Sequence, residues 1–225
     1  TTEMRDLLKH ELGDLLFAEK TFLKGTKKMA KETSEPAMRE RLEAHVAETE
    51  GQIRRLEEAF RAMGEKPKAE KCEAALGLIE EHDSFVSEEE PSKEILEAFD
   101  LGSGLRVEHY EIAAYRTAMA IARTLGEQEC LGLLQQNLAE EEAMAKFIEK
   151  AAARSLPALA RGITLRRQQE ASDGGATARK STAKKSAASK STAKKSTAKK
   201  STAKKSTAKK STAKKSGGRK TAARS

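Results

Sequence analysis

The sequence predicts an all-α protein, in which an antiparallel four-helix bundle with one extra short helix precedes a disordered basic tail. Apolar residues recur at three- and four-residue spacing through the first 155 positions, as in helices that bury one face. Trp is absent and only two Tyr occur, so strand-forming residues are scarce. All 35 acidic residues lie before residue 174, and 18 of the 43 basic residues follow it.

Glycine and proline mark the expected ends of the helices. Pro36 begins the second helix. Gly64 can end this helix in a left-handed cap, and Gly126 can end the fourth helix in the same way. The sequence Gly102-Ser103-Gly104 can interrupt the helix that contains it, and Pro157 is expected to follow the final helix. The expected helices cover residues 2–31, 36–63, 72–89, 91–125 and 128–155.

Opposite charges divide the chain into two parts. The last 52 residues hold 18 basic residues and no acidic one, whereas the first 173 hold 25 basic and 35 acidic residues, a net charge of −10. Seven pentads fill residues 181–215, of which six read STAKK and one reads SAASK. The pentads cannot bury apolar surface, so this tail is expected to be disordered when free. The predicted domains are a bundle over 1–162, a linker over 163–175 and the tail over 176–225.

The lysines of the tail lack interleaved aromatic residues. Such lysines bind phosphates without reading bases, so the tail is expected to bind DNA non-specifically through the phosphate backbone. The tail resembles the lysine-rich C-termini of linker histones; the alternative is a solvated charge run that promotes solubility. The lysines expected to contact DNA are Lys184, Lys185, Lys194, Lys195, Lys199, Lys200, Lys204, Lys205, Lys209, Lys210, Lys214 and Lys215.

Several glutamates lie within the apolar stripes of the helices. Glu19, for example, has Leu15 and Leu16 one turn before it and Phe22 and Leu23 one turn after it, all of them apolar. Bundles that bind two metal ions direct carboxylates inward from all four helices, because divalent cations compensate the cost of burying them. The alternative is that these glutamates belong to solvated faces and that His45 is a hydrogen-bonded core residue. The candidate metal ligands are Glu19, His45, Glu48, Glu108, Glu111, Glu140 and Glu141.

A weak internal repeat at an offset of 92 residues supports the same set. It aligns LEAHVAETE (42–50) with LLQQNLAEEE (133–142), so that His45 matches Asn137 and Glu48 matches Glu140. The same offset aligns Glu19 with Glu111. Two helix pairs related in this way would form a pseudo-symmetric bundle. Whether Glu108 or Glu111, and Glu140 or Glu141, would bind metal stays open.

The body resembles the YciE/YciF-type proteins of the ferritin-like superfamily over nearly its whole length. The matching segments are ELGDLLFAEK (11–20), HVAET (45–49), EKPKAEKCEA (65–74), VEHYEIAAY (107–115) and LAEEE (138–142). The resemblance implies a ferritin-like bundle, usually dimeric and associated with bacterial stress responses. It also implies a dinuclear site at Glu19, Glu48, Glu111 and Glu140, with His45, Glu108 and Glu141 nearby.

One departure from the ferritin-like pattern bears on the chemistry. Iron-oxidising members carry Glu-x-x-His on the second helix and commonly on the fourth, whereas here His45 precedes Glu48 and residue 143 is Ala. The missing histidine argues against iron oxidation but not against metal binding. Peroxide chemistry at two manganese ions stays open, and no catalytic residue is identified.

Two functional hypotheses follow from these observations. In the first, a stress-associated homodimer binds DNA through its tail and holds two divalent ions, iron or manganese, in the bundle. In the second, the bundle only dimerises and the protein is an architectural, histone-like nucleoid protein without metal chemistry. Two widely spaced cysteines, no apparent signal peptide and no membrane-length apolar run lead us to expect a cytoplasmic, nucleoid-associated protein without a membrane partner.

Overall fold

The computed structural model describes the backbone of residues 2–187 and the side chains of residues 2–172. Within that range it is all-helical, which confirms the predicted fold class. The helices are α1 (Met4–Glu32), α2 (Pro36–Ala62), α3 (Glu73–Glu89), α4 (Lys93–Leu125) and α5 (Gln128–Ala187). The chain divides into two units, 1–174 and 175–225, and the contacts described below belong to the first. The predicted DNA-contacting lysines lie in the second unit, and those from Lys194 onward lie outside the described residues.

Ion pairs show that α1 and α2 run antiparallel. Near the start of α1, Lys9 Nζ lies 3.1 Å from Glu65 Oε2, just beyond the end of α2. Near the end of α1, Lys27 Nζ lies 2.7 Å from Glu50 Oε1, in the middle of α2. The two helices therefore form a hairpin, closed by the short turn before Pro36.

A long crossover joins α2 to α4. Arg5 near the start of α1 pairs with Glu127 just after α4. Ser34 just after α1 donates a hydrogen bond of 3.0 Å to Glu97 near the start of α4. Helix α4 is thus antiparallel to α1 and parallel to α2, so residues 63–92, which include α3, must return along the bundle. One long crossover is the connection found in ferritin-like bundles, the class that the resemblance implies.

Of the three apolar clusters in the described residues, one joins α1 to the start of α3, and the other two leave a polar layer between them. One cluster lies toward the start of α1 and includes Leu8, Leu12, Leu16, Leu56, Phe60 and Leu134. The other lies toward the end of α1 and is formed by Ala30, Leu42, Met144 and Ile148. The candidate ligands from α1, α2 and α5 fall between these clusters along their helices. The polar layer is therefore walled off at both ends by packed side chains.

The predicted caps are present at both glycines. Gly64 and Gly126 have φ angles of 73° and 75°, in the left-handed region that glycine adopts without steric cost. At the start of α2, the side chain of Glu35 accepts a hydrogen bond of 2.7 Å from the Met38 backbone N–H, with Pro36 in the first turn. These local signals explain why most helix ends are readable from sequence.

The expected interruption of α4 at Gly102-Ser103-Gly104 does not occur. Helix α4 runs through this segment, and Ser103 is buried. A Cβ atom at Gly104 would lie 3.4 Å from Ile148 Cδ1 of α5, so the segment lies at a contact between two helices. A small residue at a helix contact and a helix breaker look alike in sequence.

Helix α5 also continues past Pro157, where the sequence suggested an end. A proline inside a helix costs about 3 kcal/mol, so other contacts must offset it. Beyond the proline, Ile163 and Arg166 line a cavity of about 500 Å³ with Phe85, and Arg166 pairs with Glu94. These contacts reach the α3–α4 connection, although most of α5 beyond the proline is exposed. The predicted domain boundaries at 162 and 175 stay a prediction.

Gly13 of α1 is where the loop after α2 crosses the bundle, and we expect Gly13→Ala to be destabilising. The Glu70 backbone N–H donates a 3.0 Å hydrogen bond to the Gly13 carbonyl. An added Cβ would lie 2.6 Å from Glu70 Cγ and 3.1 Å from the Lys68 carbonyl oxygen. Displacing the loop should cost about 1–3 kcal/mol of folding free energy.

Gly132→Ala in α5 is the control for this prediction. Its Cβ would meet nothing within 4 Å, so the substitution should stabilise the protein by about 0.5–1 kcal/mol. Urea unfolding of both variants measures the difference, and equal effects would contradict the assignment.

Candidate metal centre

Five ionisable side chains from all four long helices are buried in the polar layer. Glu19 comes from α1, His45 from α2, Glu108 and Glu111 from α4, and Glu141 from α5. None is more than 4% exposed. Uncompensated charges are rarely buried to this extent, because removing each from water costs several kcal/mol. The arrangement therefore needs a compensating partner.

His45 lies at one end of this group. Its Nε2 is 3.5 Å from Glu108 Oε1 and 3.8 Å from Glu141 Oε2. His45, Glu108 and Glu141 each offer one ligand atom, and these atoms lie within 4.8 Å of one another. The three side chains thus form a buried group that could hold a metal ion.

The two remaining candidates, Glu48 and Glu140, lie at the margin of the layer, with side chains 32% and 28% exposed. Glu48 Oε2 accepts hydrogen bonds of 3.0 Å from His45 Nδ1 and 2.8 Å from Arg41. Glu140 instead pairs with Arg55. Of the adjacent pair on α5, the structure buries Glu141 and turns Glu140 toward an arginine.

A chain of hydrogen bonds continues the polar layer beyond Glu19. The Tyr115 hydroxyl donates to Glu19 Oε1, and Asn137 Nδ2 donates to the Tyr115 oxygen at 2.9 Å. Arg55 Nε donates to Asn137 Oδ1, while its other end reaches Glu140. Because each link is donor to acceptor, this side of the layer is satisfied by protein groups.

Three carboxylate oxygens in the layer have no such partner. Glu108 Oε2, Glu111 Oε1 and Glu141 Oε2 are buried and accept no hydrogen bond from any described residue. Carboxylate oxygens lacking donors are the groups that a cation satisfies. Together with the imidazole of His45, they form a mixed oxygen and nitrogen donor set that fits a first-row divalent metal such as iron or manganese.

Three carboxyl groups of the layer have raised pKa values. Burial raises the pKa of Glu19 to about 8. Burial, followed by the charges of neighbouring carboxylates, raises the pKa values of Glu111 and Glu141 well above their ordinary range. Without a metal ion, the layer therefore holds protons in place of cations.

His45 carries the compensating positive charge within the layer. Burial by itself would lower the pKa of His45, but hydrogen bonds to Glu108 and Glu48 outweigh it and raise the pKa to about 9. The imidazole is then protonated at neutral pH and cannot donate a nitrogen lone pair. A metal at His45 must displace that proton, so uptake there releases protons.

Four residues of the layer were not predicted from the sequence to belong to the site: Gln52, Arg55, Tyr115 and Asn137. Gln52 Nε2 donates to Glu141 Oε1 and so orients that carboxylate, whereas the other three form the chain from Glu140 to Glu19. A signal existed for Asn137, because the repeat aligns it with His45. Gln52 also lies two turns after His45, on the same face of α2.

The helical body matches known proteins of one family. A family model described as a domain of unknown function (DUF892) matches residues 3–160. Protein YciF of Escherichia coli (strain K12) is 36% identical over 141 residues, which cover 62% of this chain and 84% of that protein. The expected resemblance of the body to YciF is thereby confirmed. The family match ends before the tail, whose likeness to linker histones stays a prediction.

Solved structures show the same fold. The E. coli stress protein YciF aligns with a TM-score of 0.64 and 32% identity, over 70% of this chain and 99% of that one. YcfI from Rhodopseudomonas palustris, for which a structural role has been suggested, aligns with a TM-score of 0.63 and 36% identity, over 66% and 94% of the two chains. No helix in the described part of this chain is long and apolar enough to span a membrane.

Proposed function

Because the chain belongs to the DUF892 family, whose description assigns no activity, we propose from the site itself that the helical body binds divalent metal ions. The unpaired carboxylate oxygens of Glu108 and Glu141 beside His45, and that of buried Glu111, carry this proposal. If the glutamates formed only solvated faces, they would be exposed; if His45 were an ordinary core histidine, it would not face two buried acids. E. coli YciF is described as a stress protein, which supports a role in stress for this chain.

The residues of the layer divide into those that would hold metal directly and those at its margin. Glu19, His45, Glu108, Glu111 and Glu141 are all buried, and His45, Glu108 and Glu141 converge, so these five are the direct candidates. Glu48, which contacts His45, and Glu140 would join only if their arginines release them. Two ions of iron or manganese fit the number of carboxylates, and such ions would supply Lewis-acid or redox chemistry. The absent Glu-x-x-His motif argues against iron oxidation but not against metal binding.

Metal analysis of the purified protein tests the proposal. We expect about two equivalents of iron or manganese per chain, and we expect Glu141→Ala to lose most of them because it removes a buried ligand beside His45. Glu142→Ala is the matched control: it removes the same charge one residue along, from a side chain that pairs with Arg116 at 2.7 Å. A metal-free wild type whose melting temperature does not respond to iron or manganese would contradict the proposal.

A second function is proposed for the tail, supported by its composition. Its 18 unopposed positive charges favour non-specific binding to the phosphate backbone of DNA. On this proposal the tail brings the metal-binding body to the nucleoid in the cytoplasm, and a homodimer could bridge two duplexes. If metal is absent but DNA binding persists, the architectural alternative replaces the metal function.

A further inference from the structure

The two sides of the polar layer differ in how their charges are compensated. The three unpaired carboxylate oxygens of the layer belong to Glu108, Glu111 and Glu141, and Gln52 Oε1 is also unpaired. Glu19 instead accepts a hydrogen bond from Tyr115. Glu108 and Glu141 beside His45 therefore each keep one oxygen free for a metal ion, as does Glu111, whereas the side of Glu19 is already tied to the protein.

Arg55 supplies the positive charge on the satisfied side. It extends from α2 to α5 and donates both to Glu140 Oε2 and to Asn137 Oδ1. Its side chain is only 20% exposed. A guanidinium stays protonated at any accessible pH and binds carboxylates through strong charge-assisted hydrogen bonds. Glu140 is thus held by a permanent cation.

Glu140 also belongs electrostatically to the buried group. Its negative charge is one of the causes that raise the pKa of Glu19, although burial is the largest. Glu140 is one of the carboxylates that the family resemblance implies for a dinuclear site, and Arg55 already holds it. An ion that used Glu140 together with Glu19 and Glu111 would need the carboxylate that Arg55 occupies. A chain of hydrogen bonds runs from Arg55 through Asn137 and Tyr115 to Glu19. Movement of the guanidinium would therefore also affect the hydrogen bonding of Glu19.

We propose that Arg55 is a built-in competitor of the second metal ion. One divalent cation binds first beside His45, Glu108 and Glu141, and a second binds beside Glu19 and Glu111 only when Arg55 releases Glu140. The body thus loads metal in two unequal steps, and Arg55 sets the affinity of the second. This inference rests on the proposed metal binding.

Titration of the metal-free, full-length protein with Mn²⁺ tests the proposal, with unbound Mn²⁺ measured by electron paramagnetic resonance. For the wild type we expect two steps whose dissociation constants differ at least tenfold. Arg55→Gln should tighten the second step at least tenfold and change the first less than twofold. Arg116→Gln is the control, because it also removes one arginine paired with an α5 glutamate, Glu142, on a different face. Its isotherm should match that of the wild type.

Glu140→Gln provides an independent variant in case Arg55→Gln does not fold. It removes the carboxylate for which arginine and metal compete, so the second step should disappear while the first remains. Two outcomes would overturn this inference and leave the proposed function standing. One is equal affinity for both ions in the wild type, and the other is an unchanged second step in Arg55→Gln or Glu140→Gln. A wild type that shows neither binding step would overturn the proposed function as well.

Discussion

A chain ending at Gly174 is expected to lose nearly all affinity for duplex DNA at moderate salt. The residues beyond it carry 18 positive charges, and the part that remains has a net charge of −10, which repels phosphate. If about half of the tail charges engage DNA, a plot of log K against log salt for the full chain should have a slope of about −8. Fluorescence anisotropy of a short labelled duplex at several salt concentrations measures both quantities.

A variant with the order of its tail residues shuffled is the control for this prediction. Because phosphate binding depends on charge and not on register, shuffling at constant composition should leave affinity and slope nearly unchanged. Equal binding by the truncated chain would assign the DNA interaction to the body. A large loss on shuffling would show that the pentads are recognised as a sequence.

The metal-free protein is expected to lose stability as the pH rises from about 5 to 9. The pKa of Glu19 is about 8 in the folded protein and 4.5 ordinarily, so between these values the unfolded chain releases a proton that the folded chain keeps. Ionisation then favours the unfolded state increasingly up to pH 8, by as much as about 5 kcal/mol for a shift of this size. Thermal melts of metal-free protein across this range measure the loss.

His45 changes stability in the same direction. Its pKa is about 9 when folded and 6.5 ordinarily, so its stabilising contribution is complete below pH 6.5 and is lost as the pH rises through 9. Bound metal should oppose the whole trend by about 2.7 kcal/mol at a hundredfold excess over its Kd. Glu19→Gln should flatten the curve between pH 5 and 8, and Glu142→Gln should not. A melting temperature that rises with pH in metal-free wild type would contradict the assignment.

Much of the fold could be predicted from sequence because its signals are local. Gly64 and Gly126 end helices through a backbone conformation that glycine adopts most readily. The errors arose where distant residues decide the outcome. Gly104 lies within a helix where it faces Ile148 of another helix, and beyond Pro157 Arg166 of α5 pairs with Glu94 of α4.

The site was predictable as a set of residues but not in its arrangement. Periodicity places Glu140 and Glu141 near the same interior, yet adjacent positions on a helix point about 100° apart, and only packing decides which one faces inward. Arg55 has an ordinary sequence context for an exposed arginine. Its role follows from reaching across to Asn137 and Glu140, more than 80 residues away.

The crossover between α2 and α4 has a consequence for how a bound ion could leave. The direct candidates extend from residue 19 to residue 141 and come from four helices, so no single helix or pair of consecutive helices carries more than part of the site. Local fraying at either end, beyond the apolar clusters, leaves all of the ligands in place. A tightly held ion would therefore escape by concerted opening of the bundle, and its residence time would report on cooperative unfolding of the body.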